Sequence, residues 1–413
     1  MMRADPELGV KRGASVRKRR LGRDMKEAFL IGAGQTPVNR NAEPRGRDLA
    51  VSAIQSALDD CGIEPTQVNA LFIGNMTGGV LGQQQQLGSL IADYAGLTGT
   101  EAVNIEAACA SGAAAARMAY LSIAGGMHDI VVACGVERMA HVDNSEVTAA
   151  LATATDWQLE GRHGASFLSL NAQLMRAYIE RFNVSRNSFA AFSIVAHANA
   201  AINSNAVFHK EIDLDTYADS RTVIDPLRLY DISPVCNGAA AIVLASGDVA
   251  KSLRRNAPGV RIEASTASTA PVALARRDDP LRLDAVKNAT DAAFASARLD
   301  RKDLDLLELH DAYTIMTALS LEAAGFAAPG TATHFAADKR IGLDGDLPLS
   351  TFGGLKARGH PVGATGVYQL TEAYLQLTGR GGPNQVAGAE TAMTQNIGGT
   401  GSTVINHILR RVD

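Results

Sequence analysis

The 413-residue sequence has no long apolar run and few cysteine or aromatic residues. No stretch approaches the roughly 18 consecutive apolar residues of a membrane-spanning helix, so we expect no membrane span. Aromatic residues make up only 5% of the chain, whereas glycine contributes 39 residues, a balance that favours an α/β enzyme over an aromatic-lined binding module.

The cysteines are few and widely spaced. They are Cys61, Cys109, Cys134 and Cys236. Because they lack Cys-x-x-Cys spacing, the sequence indicates neither a metal site nor a disulfide framework, and it suits a reducing, cytoplasmic compartment.

Basic charge is scarce outside the N-terminus. The formal net charge is −4, and residues 1–24 contain eight basic and three acidic residues, so the rest of the chain carries −9. An acidic body argues against nucleic-acid binding. No apolar segment follows the basic stretch 11–20, so it is not a secretory signal. We expect residues 1–24 to be a disordered extension, with an organelle-targeting peptide or a polyanion-binding arm as alternatives.

Short apolar runs alternate with helical patterns from Met25 onward, which predicts an α/β fold with βαβ units and a largely parallel sheet. Residues 63–73 align with 299–309 without a gap, and each segment follows an Ala-rich helical pattern, at 49–61 and 285–297. The chain therefore looks duplicated, with helix, loop and strand repeated in each half.

A second alignment pairs two reactive residue types. Residues 109–113 (CASGA) align with 360–364 (HPVGA), and each segment opens an Ala-rich helical stretch. Equivalent helix starts can face each other across the pseudo-twofold axis of a duplicated fold. We therefore expect Cys109 and His360 to lie close together.

The segment between the two halves differs from both. Helical patterns at 168–182 and 186–204 and an irregular polar stretch at 217–228 indicate an inserted subdomain over about 140–232. Residues 235–244 return to a strand pattern, and the polar stretch 252–258 joins the halves. We expect an N-terminal domain at 25–258 and a C-terminal domain at 259–413.

Cys109 is the strongest candidate nucleophile. It lies just before a long helical pattern, where the positive end of the helix dipole lowers a thiol pKa, and small residues such as Ala108 and Gly112 leave space around it. The alternative is that Cys109 is a small buried apolar residue. The other three cysteines lack this clearance and are interpreted as structural.

Two histidines are candidates for proton transfer and charge stabilisation. His360 lies in a glycine-rich stretch and is fixed by Pro361, which suits a base for the thiol. The nearby Lys356 and Arg358 either attract an anionic substrate or are solvated. His310 ends a predicted strand at 305–309, so it either donates a hydrogen bond to a thioester oxygen or forms a local pair with Asp311. The glycine turn at 396–401 could supply backbone donors for an oxyanion.

Four motifs in order resemble those of the thiolase superfamily, over a stretch from about Met25 to the C-terminus. They are Cys-Ala-Ser-Gly at 109–112, His-Asp-Ala-Tyr at 310–313, Gly-His-Pro at 359–361 and Asn-Ile-Gly-Gly at 396–399. The His-Asp form is similar to that of sterol-carrier-protein-type and archaeal thiolases, whereas most thiolases have Asn-Glu-Ala-Phe. The resemblance implies duplicated βαβαβαββ halves in a five-layer αβαβα sandwich with an inserted loop subdomain.

The resemblance also implies the roles of the site residues. Cys109 would attack an acyl-CoA and hold the acyl group as a thioester, and His360 would activate Cys109 and then bind the substrate thioester oxygen. His310 would complete one oxyanion hole, and the N–H groups of Cys109 and Gly398 would form the second. Ser233 would contact the pantetheine chain. Coenzyme A and acyl-CoA would be substrates, with no tightly bound cofactor and no metal, and thiolases pair as dimers or dimers of dimers across a sheet edge.

Two departures from the family pattern concern the acid/base group of the second half-reaction. Most thiolases have a cysteine at the position of Asn396, and the sterol-carrier-protein type has one at the position of Ala312. Neither an amide nor a methyl group accepts the α-proton, so either His360 carries it alone or condensation is impaired.

The leading hypothesis is an acyl-CoA:CoA C-acyltransferase that cleaves 3-ketoacyl-CoA with CoA or runs the reverse condensation. One alternative keeps acylation of Cys109 but uses another acceptor, as in secondary metabolism. A second is a retro-aldolase of thiolase fold that acts with an OB-fold partner, although such chemistry needs no acyl-cysteine. A third is a non-catalytic scaffold or lipid-transfer partner, which would leave the set Cys109, His310 and His360 unexplained.

Overall fold

The computed structural model describes residues 25–253, 259–338 and 340–412. The basic extension predicted at residues 1–24 lies outside this range, as does most of the polar join predicted at 252–258. No helix within the described ranges combines the length and apolar character needed to cross a bilayer.

Eleven strands and twelve α-helices are found in the described ranges. The strands are β1 Ala28–Gln35, β2 Ala70–Gly74, β3 Glu101–Ile105, β4 Ile130–Arg138, β5 Thr222–Ile224, β6 Leu227–Arg228, β7 Asn237–Ser246, β8 Gly259–Thr269, β9 Leu306–Glu308, β10 Thr391–Gly398 and β11 Thr403–Val412. The helices are α1 Gly46–Cys61, α2 Leu87–Tyr94, α3 Ser111–Ala124, α4 Asn144–Ala152, α5 Phe167–Phe182, α6 Ala190–Ala201, α7 Leu214–Asp219, α8 Gly247–Leu253, α9 Asp284–Ala297, α10 Thr314–Ala323, α11 Ala332–Ala337 and α12 Thr365–Leu377.

Nine strands form one continuous sheet in the order β3-β2-β4-β7-β1-β8-β11-β10-β9. The prediction of a largely parallel sheet was wrong, because the sheet is mixed. Strand β2 pairs in parallel with β3 and β4, but β7 is antiparallel to both of its neighbours, and β11 is antiparallel to β8 and β10. The last strand of each half returns in the opposite direction and inserts between strands that βαβ crossovers had aligned.

The predicted duplication is confirmed by the strand order. The order β2-β4-β7-β1 on one side corresponds to β9-β10-β11-β8 on the other, both read toward the middle of the sheet, and β3 lies beyond β2 at the edge. A shift of 236 residues relates the first turn-and-strand unit of each half. A helical turn at Pro65–Gln67 precedes β2, and one at Arg301–Asp303 precedes β9, each opened by an acidic residue that accepts backbone N–H groups. The same local sequence chemistry therefore builds the same turn twice.

Helices α3 and α12 lie at the centre of the molecule. They contact each other and strands from both halves, whereas α1 packs outside β1 and β7, and α9 packs outside β8 and β11. This arrangement gives the five layers αβαβα that the resemblance implies. Small side chains allow the close approach, because a Cβ on Gly366 of α12 would collide with the Ala113 backbone nitrogen of α3. The starts of these two helices are therefore held together, which brings the segments before them into one place.

The inserted segment contributes no strand to the large sheet. Its helices α5 and α6 match the predicted helical patterns. The stretch predicted to be irregular at 217–228 instead holds the end of α7 and the two-stranded ribbon of β5 and β6, which are too short to show an alternating pattern. The limits of the insertion and of the two domains stay a prediction.

Candidate active site

Cys109 lies on a tight turn immediately before α3. Ala108 adopts a left-handed backbone conformation with φ of 52°, which non-glycine residues seldom adopt. The Ser111 hydroxyl holds the turn, because it accepts the Ala107 N–H at 2.9 Å and donates to the Ala108 carbonyl at 2.6 Å. Such backbone strain is characteristic of sites where a side chain must be presented in one direction.

The thiol is not activated in the resting protein, contrary to the expectation from the helix dipole. Burial raises the pKa of Cys109 to about 12, and the negative charge of Glu137 adds to the rise. Cys109 is only 7% exposed, so loss of hydration outweighs the favourable dipole of α3. The thiol therefore needs a neighbouring base at the moment of attack.

His360 is held as a base by the residues that follow it. Its Nδ1 lies 2.7 Å from the Thr365 hydroxyl oxygen, and that hydroxyl also lies 3.2 Å from the Pro361 carbonyl oxygen. The hydroxyl can only donate to the carbonyl, so it accepts the Nδ1 proton of His360. Burial, His310 and Arg358 all lower the pKa of His360 well below its ordinary value. His360 is therefore neutral, with Nε2 free to accept a proton.

His310 has the opposite arrangement of its ring proton. Its Nδ1 lies 3.0 Å from the Asn396 side-chain Nδ2, a group that can only donate. Burial lowers the pKa of His310 to about 3, so the ring is neutral and carries its one proton on Nε2. The predicted alternative, a pair with Asp311, is wrong, because the Asp311 carboxylate accepts the Leu355 N–H at 2.7 Å instead. Nε2 of His310 is therefore a hydrogen-bond donor.

Cys109, His310 and His360 line one cavity of about 130 Å³, and Ser233 and Ala312 line it too. The two imidazole rings meet edge to face, with centroids 5.1 Å apart. The predicted meeting of the thiol and the imidazole, 251 residues apart in sequence, is thus found in the structure. The cavity combines a nucleophile, a proton acceptor and a hydrogen-bond donor.

Backbone amides also face the thiol. The Gly399 N–H lowers the pKa of Cys109, and Gly399 lines the cavity. Gly398, predicted to supply this donor, ends β10, and a Cβ there would lie 2.5 Å from the Ala107 carbonyl oxygen. Gly399 has a φ of 66°, so this turn needs glycine. The role of Gly398 stays a prediction, and Gly399 is a second candidate.

Sequence reasoning missed two polar residues of the cavity. Tyr313 lines it, and burial raises the pKa of its phenol, which therefore stays protonated. Asn171 of α5 also lines it. The Asn171 Nδ2 donates to the Phe167 carbonyl at 2.9 Å, while its buried Oδ1 has no hydrogen-bond partner in the described part of the chain. The only sequence signal for Tyr313 was its place beside His310, and for Asn171 there was none.

Lys356 and Arg358 are fully buried and do not face an anionic substrate, so both the substrate-attracting and the solvated readings were wrong. The Lys356 Nζ donates to the Asp231 carbonyl at 2.9 Å, and the Arg358 Nε lies 2.8 Å from a Glu372 carboxylate oxygen. A π-helical turn over Gly354–Arg358 directs both side chains inward. These cations therefore support the loop that carries His360.

The remaining cysteines lie outside the cavity. Burial raises the pKa of Cys61 to about 11 and that of Cys236 to about 12, and raises the pKa of Cys134 as well, so each is a protonated thiol. Among the residues that the structure describes, no cluster of three or more His, Cys, Asp or Glu side chains could hold a metal ion.

Comparison with family models matches most of the chain. The model "Thiolase, N-terminal domain" matches residues 28–248, and "Thiolase C-terminal domain-like" matches residues 266–411. An acetyl-CoA acetyltransferase of Methanothermobacter thermautotrophicus is 41% identical over 94% of this chain and 100% of its own length. One of Methanocaldococcus jannaschii is 35% identical over 93% of this chain and 99% of its own length.

A more distant relative and two solved structures extend the comparison. Sterol carrier protein 2 of Gallus gallus is 30% identical over 92% of this chain and 71% of its own length. A chain of an Ltp2-ChsH2(DUF35) aldolase superposes with a TM-score of 0.80 at 22% identity, covering 93% of this chain and 97% of that one. An acetyl-CoA acetyltransferase from Syntrophomonas wolfei gives 0.71 at 17% identity, covering 94% and 100%. At these identities the two structures show the shared fold alone.

Proposed function

Because the chain belongs to the thiolase family, we propose that it is an acyl-CoA:CoA C-acyltransferase that cleaves 3-ketoacyl-CoA with CoA or runs the reverse condensation. The supporting observation is that Cys109, His310 and His360 line one cavity, with the two imidazoles in opposite tautomers. Attack by a thiol on a carbonyl needs a proton acceptor beside the nucleophile and a donor beside the developing oxyanion.

Cleavage begins as Cys109 attacks the 3-oxo carbon. Nε2 of His360 takes the thiol proton while the C–S bond forms, and the backbone N–H groups of Cys109 and Gly398 or Gly399 stabilise the oxyanion. The bond between C2 and C3 then breaks. Its electron pair passes to the departing thioester enolate, and the acyl group stays on Cys109. Because the thiol pKa is raised, proton transfer to His360 must accompany attack rather than precede it.

The departing enolate needs a proton at C2. With Asn396 and Ala312 at the two positions where thiolases have their second cysteine, the protonated His360 is the group that supplies it. His360 thereby returns to its neutral form, and acetyl-CoA leaves. The Nε2–H of His310 stabilises the enolate oxygen during this step. One imidazole thus carries a single proton from sulfur to carbon, and the proton on Nδ1 of His360 keeps its hydrogen bond to the Thr365 hydroxyl throughout.

The second half-reaction repeats the same exchange with CoA. Neutral His360 takes the proton of the CoA thiol, whose sulfur attacks the acyl-cysteine carbonyl. The bond to Cys109 breaks, and His360 returns the proton to the leaving thiolate. We assign Ser233, which lines the cavity, a contact with the pantetheine chain. Coenzyme A and acyl-CoA act as substrates in this scheme, and no tightly bound cofactor takes part.

We propose that the protein forms a homodimer through β3, singly or as a dimer of dimers. Strand β3 lies at one end of the sheet with largely exposed side chains, Val103 among them at 41% exposure. Met118 and Leu121 of the adjoining α3 are also exposed, at 44% and 40%. An open strand edge beside apolar residues favours pairing with a second copy.

We place the reaction in the cytoplasm, in lipid metabolism. The four cysteines are unpaired, as a reducing compartment requires. An OB-fold partner protein stays a prediction of the retro-aldolase alternative. The fold shared with a chain of the Ltp2-ChsH2(DUF35) aldolase is the observation that supports this alternative. Copurification from the native source tests it.

Two assays test the proposal. Thiolysis of acetoacetyl-CoA by CoA should yield two molecules of acetyl-CoA per substrate, and Cys109→Ala should abolish the reaction. Acetyl-CoA with deuterium at the methyl group should lose its label to water when the enzyme is acetylated. His360→Asn should stop this exchange, whereas Tyr313→Phe should leave it within about twofold of the native rate, the scatter expected of uncoupled sites. If only Tyr313→Phe lost the exchange, the phenol of Tyr313 rather than His360 would be the group that accepts the α-proton.

A further inference from the structure

Asn396 contacts the donor histidine and does not line the cavity. It lies on β10 at 1% exposure, and its Nδ2 lies 3.0 Å from the His310 Nδ1. This amide occupies the position where most thiolases have a second cysteine. Since it cannot accept a proton from carbon, its contact with His310 indicates a different use of the position.

The surroundings of Asn396 fix the direction of its amide. A Cβ on Gly366 would lie 2.5 Å from the Asn396 Oδ1, so the oxygen sits against the first turn of α12. The N-terminus of a helix carries partial positive charge and favours a carbonyl oxygen over an NH₂ group there. The oxygen thus faces α12 and the NH₂ group faces His310. The Asn396 Oδ1 itself has no hydrogen-bond partner within the described ranges.

We propose that Asn396 is a positioning residue that holds His310 in the tautomer with its proton on Nε2, so that the ring donates to the thioester oxygen of the substrate. The proposal rests on the proposed function for the identity of the acceptor. The orientation of the ring proton can be tested without any substrate.

The pairing of Asn396 with His310 mirrors that of Thr365 with His360. Thr365 accepts from Nδ1 and leaves Nε2 of its histidine bare, whereas Asn396 donates to Nδ1 and leaves Nε2 of its histidine protonated. Two neutral imidazoles in one cavity could otherwise exchange roles, because each has one donor and one acceptor nitrogen. The two polar side chains make one ring the base and the other the donor.

A purely structural role explains the site less well. A buried acceptor without a partner destabilises a protein, so an apolar residue at 396 would suit packing alone better. The amide remains useful because Nδ2 can only donate, and only a donor selects the Nε2–H tautomer. The position therefore serves His310 rather than the α-proton, and Asn396→Cys should not raise activity.

The first test uses the native protein with isotope-labelled histidine. Solid-state nitrogen spectra distinguish a protonated Nδ1 from a protonated Nε2, and His310→Asn identifies the signals of His310 by their disappearance. We expect the proton on Nε2 of His310 and on Nδ1 of His360. A proton on Nδ1 of His310 would overturn the proposal whether or not the protein proves to be a thiolase.

The second test changes residue 396 from a hydrogen-bond donor to an acceptor toward the His310 Nδ1. Asn396→Asp keeps the side-chain shape, but its carboxylate accepts the Nδ1 proton and leaves Nε2 bare. At alkaline pH we expect kcat for thiolysis to fall about 100-fold, the effect of losing one oxyanion donor, with little change in KM. Lowering the pH should restore part of the activity, because a second ring proton returns the donor. A fall in kcat caused only by altered packing would not recover at lower pH.

A double-mutant cycle supplies the control. An asparagine at 310 has no tautomer to select, so Asn396→Asp in the His310→Asn background should alter kcat by no more than about twofold. An equal loss in both backgrounds, or native kcat for Asn396→Asp at alkaline pH, would refute the proposal. Should Asn396→Asp fail to fold, the tautomer spectra still decide the question, because they need only the native protein and His310→Asn.

Discussion

Replacement of Arg358 by methionine should destabilise the protein strongly and in a pH-dependent way. The Arg358 Nε lies 2.8 Å from a carboxylate oxygen of Glu372, and both side chains are 1% exposed. The guanidinium also lies 4.6 Å from the ring centroid of Tyr368 and donates to the Gly359 carbonyl. The arginine thus joins α12 to the loop that carries His360.

The expected loss follows from what Glu372 does without its partner. At an effective dielectric constant of about 20, two unit charges 2.8 Å apart attract by about 6 kcal/mol, most of which offsets the desolvation of both groups. Burial raises the pKa of Glu372 to about 8 although Arg358 lowers it, so removal of the arginine raises that pKa further and keeps the carboxyl protonated.

Equilibrium unfolding in urea measures this loss. We expect Arg358→Met to lose about 3–5 kcal/mol at pH 7. The loss should grow further above pH 8, where the carboxyl ionises in the native protein but stays protonated in the variant. The matched control is the double variant Arg358→Met/Glu372→Leu, which should unfold within about 1 kcal/mol of the native protein. A single variant as stable as the native protein at pH 7, or a double variant as unstable as the single one, would refute this reasoning.

Three further predictions concern the cavity and the core. Asn171→Leu replaces an unpartnered buried oxygen in the cavity wall with an apolar side chain. The ratio of kcat/KM for 3-oxohexanoyl-CoA to kcat/KM for acetoacetyl-CoA should therefore rise about tenfold. An unchanged ratio would exclude Asn171 from the acyl site. Ser233→Ala should raise KM for CoA by about twofold to tenfold at constant kcat, which steady-state kinetics with varied CoA will check. His407 is buried on β11 with both ring nitrogens unpartnered in the described part of the chain, and burial and Arg117 lower its pKa to about 3. Below pH 6.5 the unfolded state therefore binds a proton at His407 that the folded state does not, and the free energy of unfolding should be about 2 kcal/mol lower at pH 5. Urea unfolding of His407→Leu should not show this loss.

The duplicated fold could be predicted because repetition is written directly in the chain. A gapless alignment over residues 63–73 and 299–309 required the same helix, turn and strand in both halves, and the structure has them in the same sheet order. The approach of Cys109 to His360 followed from the same symmetry. The mixed strand directions could not be predicted, because nothing in a strand's own sequence fixes which neighbours a returning strand will separate.

The electrostatic state of the site was harder to predict, since it depends on burial. The helix dipole alone favoured a thiolate at Cys109, but burial reverses the shift of its pKa. Lys356 and Arg358 looked like surface cations until the π-helical turn placed them inside. The contact between His310 and Asn396 joins residues 86 apart on β10 and on the loop after β9, so only the neighbouring strands bring them together.

The central claim is that Cys109 carries the acyl group during turnover, and intact-protein mass measures this directly. After mixing with acetoacetyl-CoA, the protein should gain the mass of one acetyl group, Cys109→Ala should gain none, and added CoA should remove the adduct as acetyl-CoA. An adduct that persists after CoA addition would favour transfer to another acceptor. No adduct on a Cys109 that still reacts with an alkylating agent would contradict the account.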